Sequence, residues 1–190
     1  VISAVESGGA VPFGGAPDAS RAVLLSDLHA NLLALPTIER FARSDTVFAP
    51  GDFGQEGGPG EIALLADRVA GIGGRMVAVS GNHDSRALMR ALARRGVLVL
   101  TERGRLEGSG RVTGPPVRRV GGLLVAGAAD PFEARASQPG RPLSFDALPD
   151  GDARREATVA RLTAWLQGLD PAPYVVLLHE SSLATAVAQR

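Results

Sequence analysis

The chain is 190 residues long, 45% hydrophobic, with 20 basic residues against 20 acidic ones and no cysteine. That is enough apolar material for one domain with a core, and the missing cysteines exclude a disulfide scaffold and a thiolate metal site. Zero net charge and 4% aromatic residues leave neither the positive footprint nor the stacking platforms that a nucleic-acid partner needs. Residues 1–20 are rich in Gly, Pro, Ser and Ala and read as a flexible linker or arm. Ala22–Leu25 is a short apolar run, a buried strand ending in Ser26–Asp27. A helix follows over roughly Leu33 to Ala42, with Leu35, Ile38 and Ala42 on one face, Pro36 in its first turn and Asn31 as its cap. Thr46–Ala49 is a second strand, ending at Gly51–Asp52. Residues 60–70 place Ile62, Leu65, Ala66 and Val69 on a helical stripe. Arg75–Val79 is the third strand. Ser85–Ala93 is a helix with Leu88 and Leu92 inward and Arg86, Arg90 and Arg94 on a solvated outer row. Val97–Leu100 is a fourth strand.

This alternation of strand and helix predicts a mostly parallel sheet with helices on its faces. The second half differs. Val117–Val120 and Leu123–Ala126 form a hairpin across Gly121–Gly122. Residues 131–151 hold four prolines and no periodicity. With Arg135 and Arg141, that loop reads equally as a segment reaching an anionic substrate or as plain surface. Asp152 is placed as the cap of a helix to about Leu169, with Val159, Leu162, Leu166 and Leu169 inward and Trp165 in the core. Tyr174–Leu178 is a last buried strand, ending at His179. No apolar run reaches the length of a membrane span and no secretory pattern is present. The chain opens on Val1, so localisation stays open between the cytoplasm and a membrane association through an upstream segment.

The polar residues fall in a pattern. Four apolar strands end on metal-ligand types: Asp27–Leu28–His29, Gly51–Asp52, Gly81–Asn82–His83–Asp84, and His179. All three histidines of the chain lie at such ends, where the sites of open α/β sheets form. Oxygen and imidazole donors suit Mn, Fe, Zn or Mg. The i, i+2 spacing of Asp27 and His29 puts both on one side of an extended strand end. Any one of these residues alone reads as a turn former, a helix cap or a satisfied core histidine, and Asp84 in particular as a cap for the helix from Ser85. It is the coincidence of four sites that points to a metal centre.

In that order and with those blocks, the sequence resembles the calcineurin-like metallophosphoesterase family, over about Ala22 to His179. The resemblance implies an α/β fold of two sheets sandwiched together and flanked by helices in α/β/β/α layers, filling residues 21–190, and a dinuclear site of two divalent metal ions. Carried over, Asp27 and His29 bind one metal, Asp52 bridges both, and Asn82 and His179 bind the second. His83 serves the leaving group of a phosphoester substrate, Asp84 orients His83, and a metal-bridged hydroxide attacks phosphorus. The family pattern closes with Gly-His-x-His after a further strand. No such motif follows before Arg190, so the expectation is a domain incomplete at its C-terminal end and a fragment with impaired activity. Two rivals stand beside the phosphomono- or phosphodiesterase reading: a DNA-end nuclease of the same family, which neutral charge disfavours, and a non-catalytic scaffold domain of the same fold.

Overall fold

The computed structural model describes residues 2–5, 22–42, 46–134 and 140–190. Among the described residues there are two sheets. The larger has seven strands in sequential order: β1 (Ile2–Val5), β2 (Ala22–Leu25), β3 (Thr46–Ala49), β4 (Arg75–Ala78), β5 (Leu98–Thr101), β6 (Gly104–Leu106) and β7 (Val112–Thr113). The smaller runs β10-β9-β8, from β8 (Arg118–Val120), β9 (Leu123–Gly127) and β10 (Val175–Leu177). Among the described residues five α-helices accompany them: α1 (Leu35–Ala42), α2 (Pro59–Ala70), α3 (Arg86–Arg94), α4 (Gly151–Gln167) and α5 (Ser181–Ala188). None of the described helices is long and apolar enough to cross a membrane.

β2 to β5 are parallel neighbours in chain order. Right-handed crossovers that never reverse direction put α1, α2 and α3 on one face of the sheet. The alternation of side chains shows the result. Val23, Leu25, Val47, Ala49, Met76, Ala78 and Val99 pack with Leu35, Ile38, Leu65, Val69, Leu88 and Leu92 of those helices. The other face, free of helices, presents Phe48, Val77, Val79 and Leu100 to Val120, Val125 and Leu177 of the second sheet. Beyond that sheet, Ala128 and Phe145 pack with Val159 and Leu162 of α4 and Leu183 and Val187 of α5. The layers are therefore α/β/β/α, the two-sheet sandwich that the sequence led us to expect.

The differences are local. Ile2–Val5, expected in the arm, pairs antiparallel with β2; residues 6–21 lie outside the described residues. The β6–β7 ribbon and α5 were not anticipated, since three- and two-residue strands carry no usable period. The arginine row of α3 is not wholly solvated: Arg90 Nε and Arg94 Nη1 donate to the Gly108 carbonyl at 3.4 and 3.1 Å and hold the β6–β7 turn. Neither predicted cap at the start of a helix caps. Asn31 precedes a short 3-10 turn without a side-chain bond. Helix α4 begins one residue before Asp152, so Asp152 sits inside its first turn, paired with Arg155 at 3.0 Å.

Candidate metal centre

Four strand ends converge on one side of the sandwich, and the convergence depends on two glycines. Gly51 lies at φ +108°, and a Cβ there would stand 2.2 Å from the Gly81 nitrogen. A Cβ on Gly81 would stand 2.1 Å from Asp52 Oδ1 and 2.5 Å from its nitrogen. The turns after β3 and β4 thus pass backbone against backbone, as only glycine permits. Beside them the chain is strained. Asp27, His29, Ala30 and Asp52 all take positive φ, between 46° and 59°, a conformation that costs non-glycine residues of order 1–3 kcal/mol each. The turn after β2 is tied to the turn after β3 by His29 N–H to the Asp52 carbonyl at 2.9 Å and Ala30 N–H to the Phe53 carbonyl at 2.8 Å. Asp27 and His29 do converge, with 3.8 Å from Asp27 Oδ1 to His29 Nε2. They do so through a left-handed turn and not along an extended strand.

Asp52 is the centre of this arrangement, 2% exposed. Its Oδ1 accepts the His83 backbone N–H at 2.9 Å. Its Oδ2 faces His179 Nε2 at 3.3 Å and His29 Nε2 at 3.5 Å. Two sets of potential ligand atoms share it: Asp27, Asp52 and His179, and His29, Asp52 and His83, each set within 4.8 Å. Asn82 Oδ1 adjoins the first set, 3.2 Å from His179 Nε2.

The imidazoles are set for this duty. His29 Nδ1 meets Gln55 Oε1 at 3.1 Å, His83 Nδ1 meets the Gln55 carbonyl at 2.9 Å, and His179 Nδ1 meets the Pro50 carbonyl at 2.9 Å. A main-chain carbonyl oxygen can only accept, so Nδ1 of His83 and of His179 carries a proton, and Nε2 of His29 and of His179 is the end turned to Asp52. Carboxylate, imidazole and amide donors, with every ring held from behind by a carbonyl oxygen, are the chemistry of a divalent-cation site, and the residues fit one.

The family model for calcineurin-like phosphoesterase matches residues 20–185. The chain belongs to that family. Its members typically bind divalent metal ions, and the two sets around Asp52 are this chain's candidate ligand groups among the described residues. No curated protein matches the chain. Among solved structures it is similar to a protein of unknown function, AQ665 from Aquifex aeolicus, at 14% identity over 74% of this chain and 73% of that one, with a TM-score of 0.36.

Asp27, His29, Asp52, Asn82, His83 and His179 stand around this centre, but two of them group differently from the expectation. Asp27 groups with His179, and His83 groups with His29. The larger correction concerns Asp84. It does not orient His83 and does not cap α3, whose cap is Ser85, accepting from Leu88 N–H at 3.2 Å. Fully buried, its Oδ2 accepts the N–H groups of Asp52 and Gly81 at 2.9 Å each, and its Oδ1 that of Gly54 at 3.0 Å. Asp84 is a clamp on the two glycine turns. Burial pushes its carboxyl up to about 7, helped by the nearby Asp52 charge and opposed by those three donors.

His83 is held instead by Gln55, which sequence reasoning missed. Glu61 of α2 fixes that loop by accepting Gln55 and Glu56 N–H at 2.6 and 3.0 Å. A second missed residue is Asp130, buried just past β9, its Oδ1 accepting Phe132 N–H at 2.7 Å. Burial lifts it to about 6, against the Phe132 N–H and the charge of His179. It too follows a strand end, the one signal that could have found it. Of the two loop arginines, Arg135 lies outside the described residues; Arg141 donates to the Asn82 and Phe132 carbonyls.

The charges are arranged around Asp52. Burial alone would raise its pKa, but the hydrogen bonds from His179 and the His83 N–H, with the charges of both rings, hold it below the usual carboxylate range. Burial likewise pulls His179 down, and the Asp52 bond and charge, with Asp130 and Asp27, outweigh it and carry the imidazole up to about 9.

Proposed function

We propose that this chain is a hydrolase of phosphoric esters, using two divalent cations that share Asp52. The observation that carries the reading is the buried Asp52 Oδ2 placed between His29 and His179 Nε2, at 3.5 and 3.3 Å. Asp27, His179 and Asn82 would complete one ligand set and His29 the other, with His83 beside it. Cations bound there would neutralise the phosphoryl oxygens and lower the pKa of water. The protein's own part is to hold the ester between the two sets and, from a His83 protonated on both ring nitrogens, to pass the Nε2 proton to the leaving oxygen while Nδ1 keeps its own. The Gln55 carbonyl keeps that ring in orientation from Nδ1. The test is Mn²⁺-dependent hydrolysis of bis-p-nitrophenyl phosphate and p-nitrophenyl phosphate. Turnover of either supports the reading and shows which ester class is taken. Bound Mn²⁺ with no turnover of either rejects it.

His83→Ala is expected to lose about 10²- to 10³-fold in kcat, the usual contribution of a positioned proton donor, and to keep its full Mn²⁺ content. Loss of one Mn²⁺ equivalent in titration calorimetry would make His83 a ligand and overturn the acid role. A second expectation concerns pH. With His179 carried up to about 9, its Nε2 is protonated at neutral pH, and a cation must displace that proton. Affinity at that set therefore rises with pH up to about 9. Calorimetry at pH 7 in buffers of different ionisation enthalpy should show about one proton released. Zero release would mean that His179 is already neutral.

A further inference from the structure

The amide of Asn82 has two ends alike in shape and opposite in chemistry. The oxygen can bind a cation; the NH₂ group repels one. Which end faces the centre is decided on the far side of the residue. Asn82 Nδ2 donates to the Leu143 carbonyl at 2.7 Å. That oxygen accepts only, so Oδ1 is the end left toward His179 Nε2, at 3.2 Å. The Leu143 carbonyl is held in turn. Two residues before it, Arg141 donates Nη1 to the Phe132 carbonyl and Nη2 to the Asn82 carbonyl. The planar guanidinium matches two carbonyls at once, which a lysine ammonium does not. Phe132 is anchored beside the same turn: Ala134 N–H donates to the Asp84 carbonyl at 2.9 Å and Arg86 N–H to the Ala134 carbonyl at 2.7 Å.

We infer that Arg141 is a positioning residue for the metal ligand Asn82, tying the Leu143 carbonyl to the turn after β4 so that the amide presents its oxygen to the cation. The inference rests on the metal reading of the Asp52 centre. Each terminal nitrogen of Arg141 holds a main-chain carbonyl, one of them that of Asn82 itself, which is the contact through which the side chain acts.

The test is a double-mutant cycle read by Mn²⁺ affinity in calorimetry, with no substrate present. Arg141→Ala is expected to weaken one Mn²⁺ equivalent by about 10- to 100-fold, the usual cost of losing a partner that orients a ligand, and to leave the other unchanged. Arg141→Lys recovers part of the loss. In an Asn82→Ala background, Arg141→Ala costs nothing further. Additive losses overturn the proposal by showing that Arg141 acts on the fold at large. Unchanged Mn²⁺ affinity with a raised KM for bis-p-nitrophenyl phosphate overturns it in favour of a substrate anchor. Should Arg141→Ala fail to fold, Arg141→Lys and Arg141→Gln run through the same cycle: losses that vanish in the Asn82→Ala background support the proposal, and additive losses overturn it. A wild-type protein that binds no Mn²⁺ overturns the metal reading and this inference together; one that binds it and gives additive losses overturns this inference alone.

Discussion

Asp52→Asn is expected to empty both metal sets at once. Oδ1 of Asp52 accepts the His83 N–H at 2.9 Å, so an asparagine keeps its oxygen there. Its NH₂ group then takes the position of Oδ2, against the Nε2 atoms of His29 and His179. On the proposed dinuclear reading, a shared anionic ligand would become a neutral donor facing the cations. Hydrolysis should fall by at least about 10³-fold, the scale on which electrostatic stabilisation of a transition state is lost. The main-chain bonds around the residue remain, but the contact with His179 that lowers the Asp52 pKa and raises that of His179 is lost, so the metal-free protein should unfold at a lower temperature. Mn²⁺ titration is the deciding measurement: both equivalents retained at wild-type affinity would contradict the bridging assignment.

The second large effect belongs to Asp84 and is one of stability. Asp84→Ala removes the acceptor of three buried N–H groups, those of Asp52, Gly54 and Gly81. An orphaned buried donor costs about 1–3 kcal/mol. With some relief from water entering the gap, a total loss of about 3 kcal/mol is expected in urea unfolding of the metal-free protein. The same variant should bind Mn²⁺ poorly, because the N–H groups it frees are those that set the turn carrying Asp52. A loss below about 1 kcal/mol, with Mn²⁺ binding intact and only kcat reduced, would instead restore Asp84 to the role of a His83 partner.

These two residues also mark how far the sequence reading reached. Asp52 was legible because it ends an apolar run and follows a glycine, and its neighbours in the pattern end apolar runs too. Asp84 was misread for a reason that applies to any carboxylate beside a histidine. Adjacency in the chain suggested a pair, while the acceptor capacity of the buried carboxylate was taken up by N–H groups 3 to 32 positions away. Gln55 was missed for the converse reason. It acts on His83 through its carbonyl, a group every residue has, so its side chain gave no sign. Arg141 was noticed as a cation on a loop, and its partners proved to be main-chain carbonyls.

The chain itself carried the order of strands and helices from Ala22 to Leu100, the hairpin at Gly121–Gly122, and the set of residue types delivered to the centre. Those follow from local period and from residue chemistry, which are properties of a stretch read alone. Only the folded molecule decided which donors gather around Asp52, which atom of Asn82 faces them, and what Asp84 holds. Those depend on strand ends far apart in sequence standing side by side, as when His179 Nδ1 meets the Pro50 carbonyl 129 positions away. They depend equally on left-handed turns at Asp27, His29 and Asp52, held only by bonds to neighbouring strand ends.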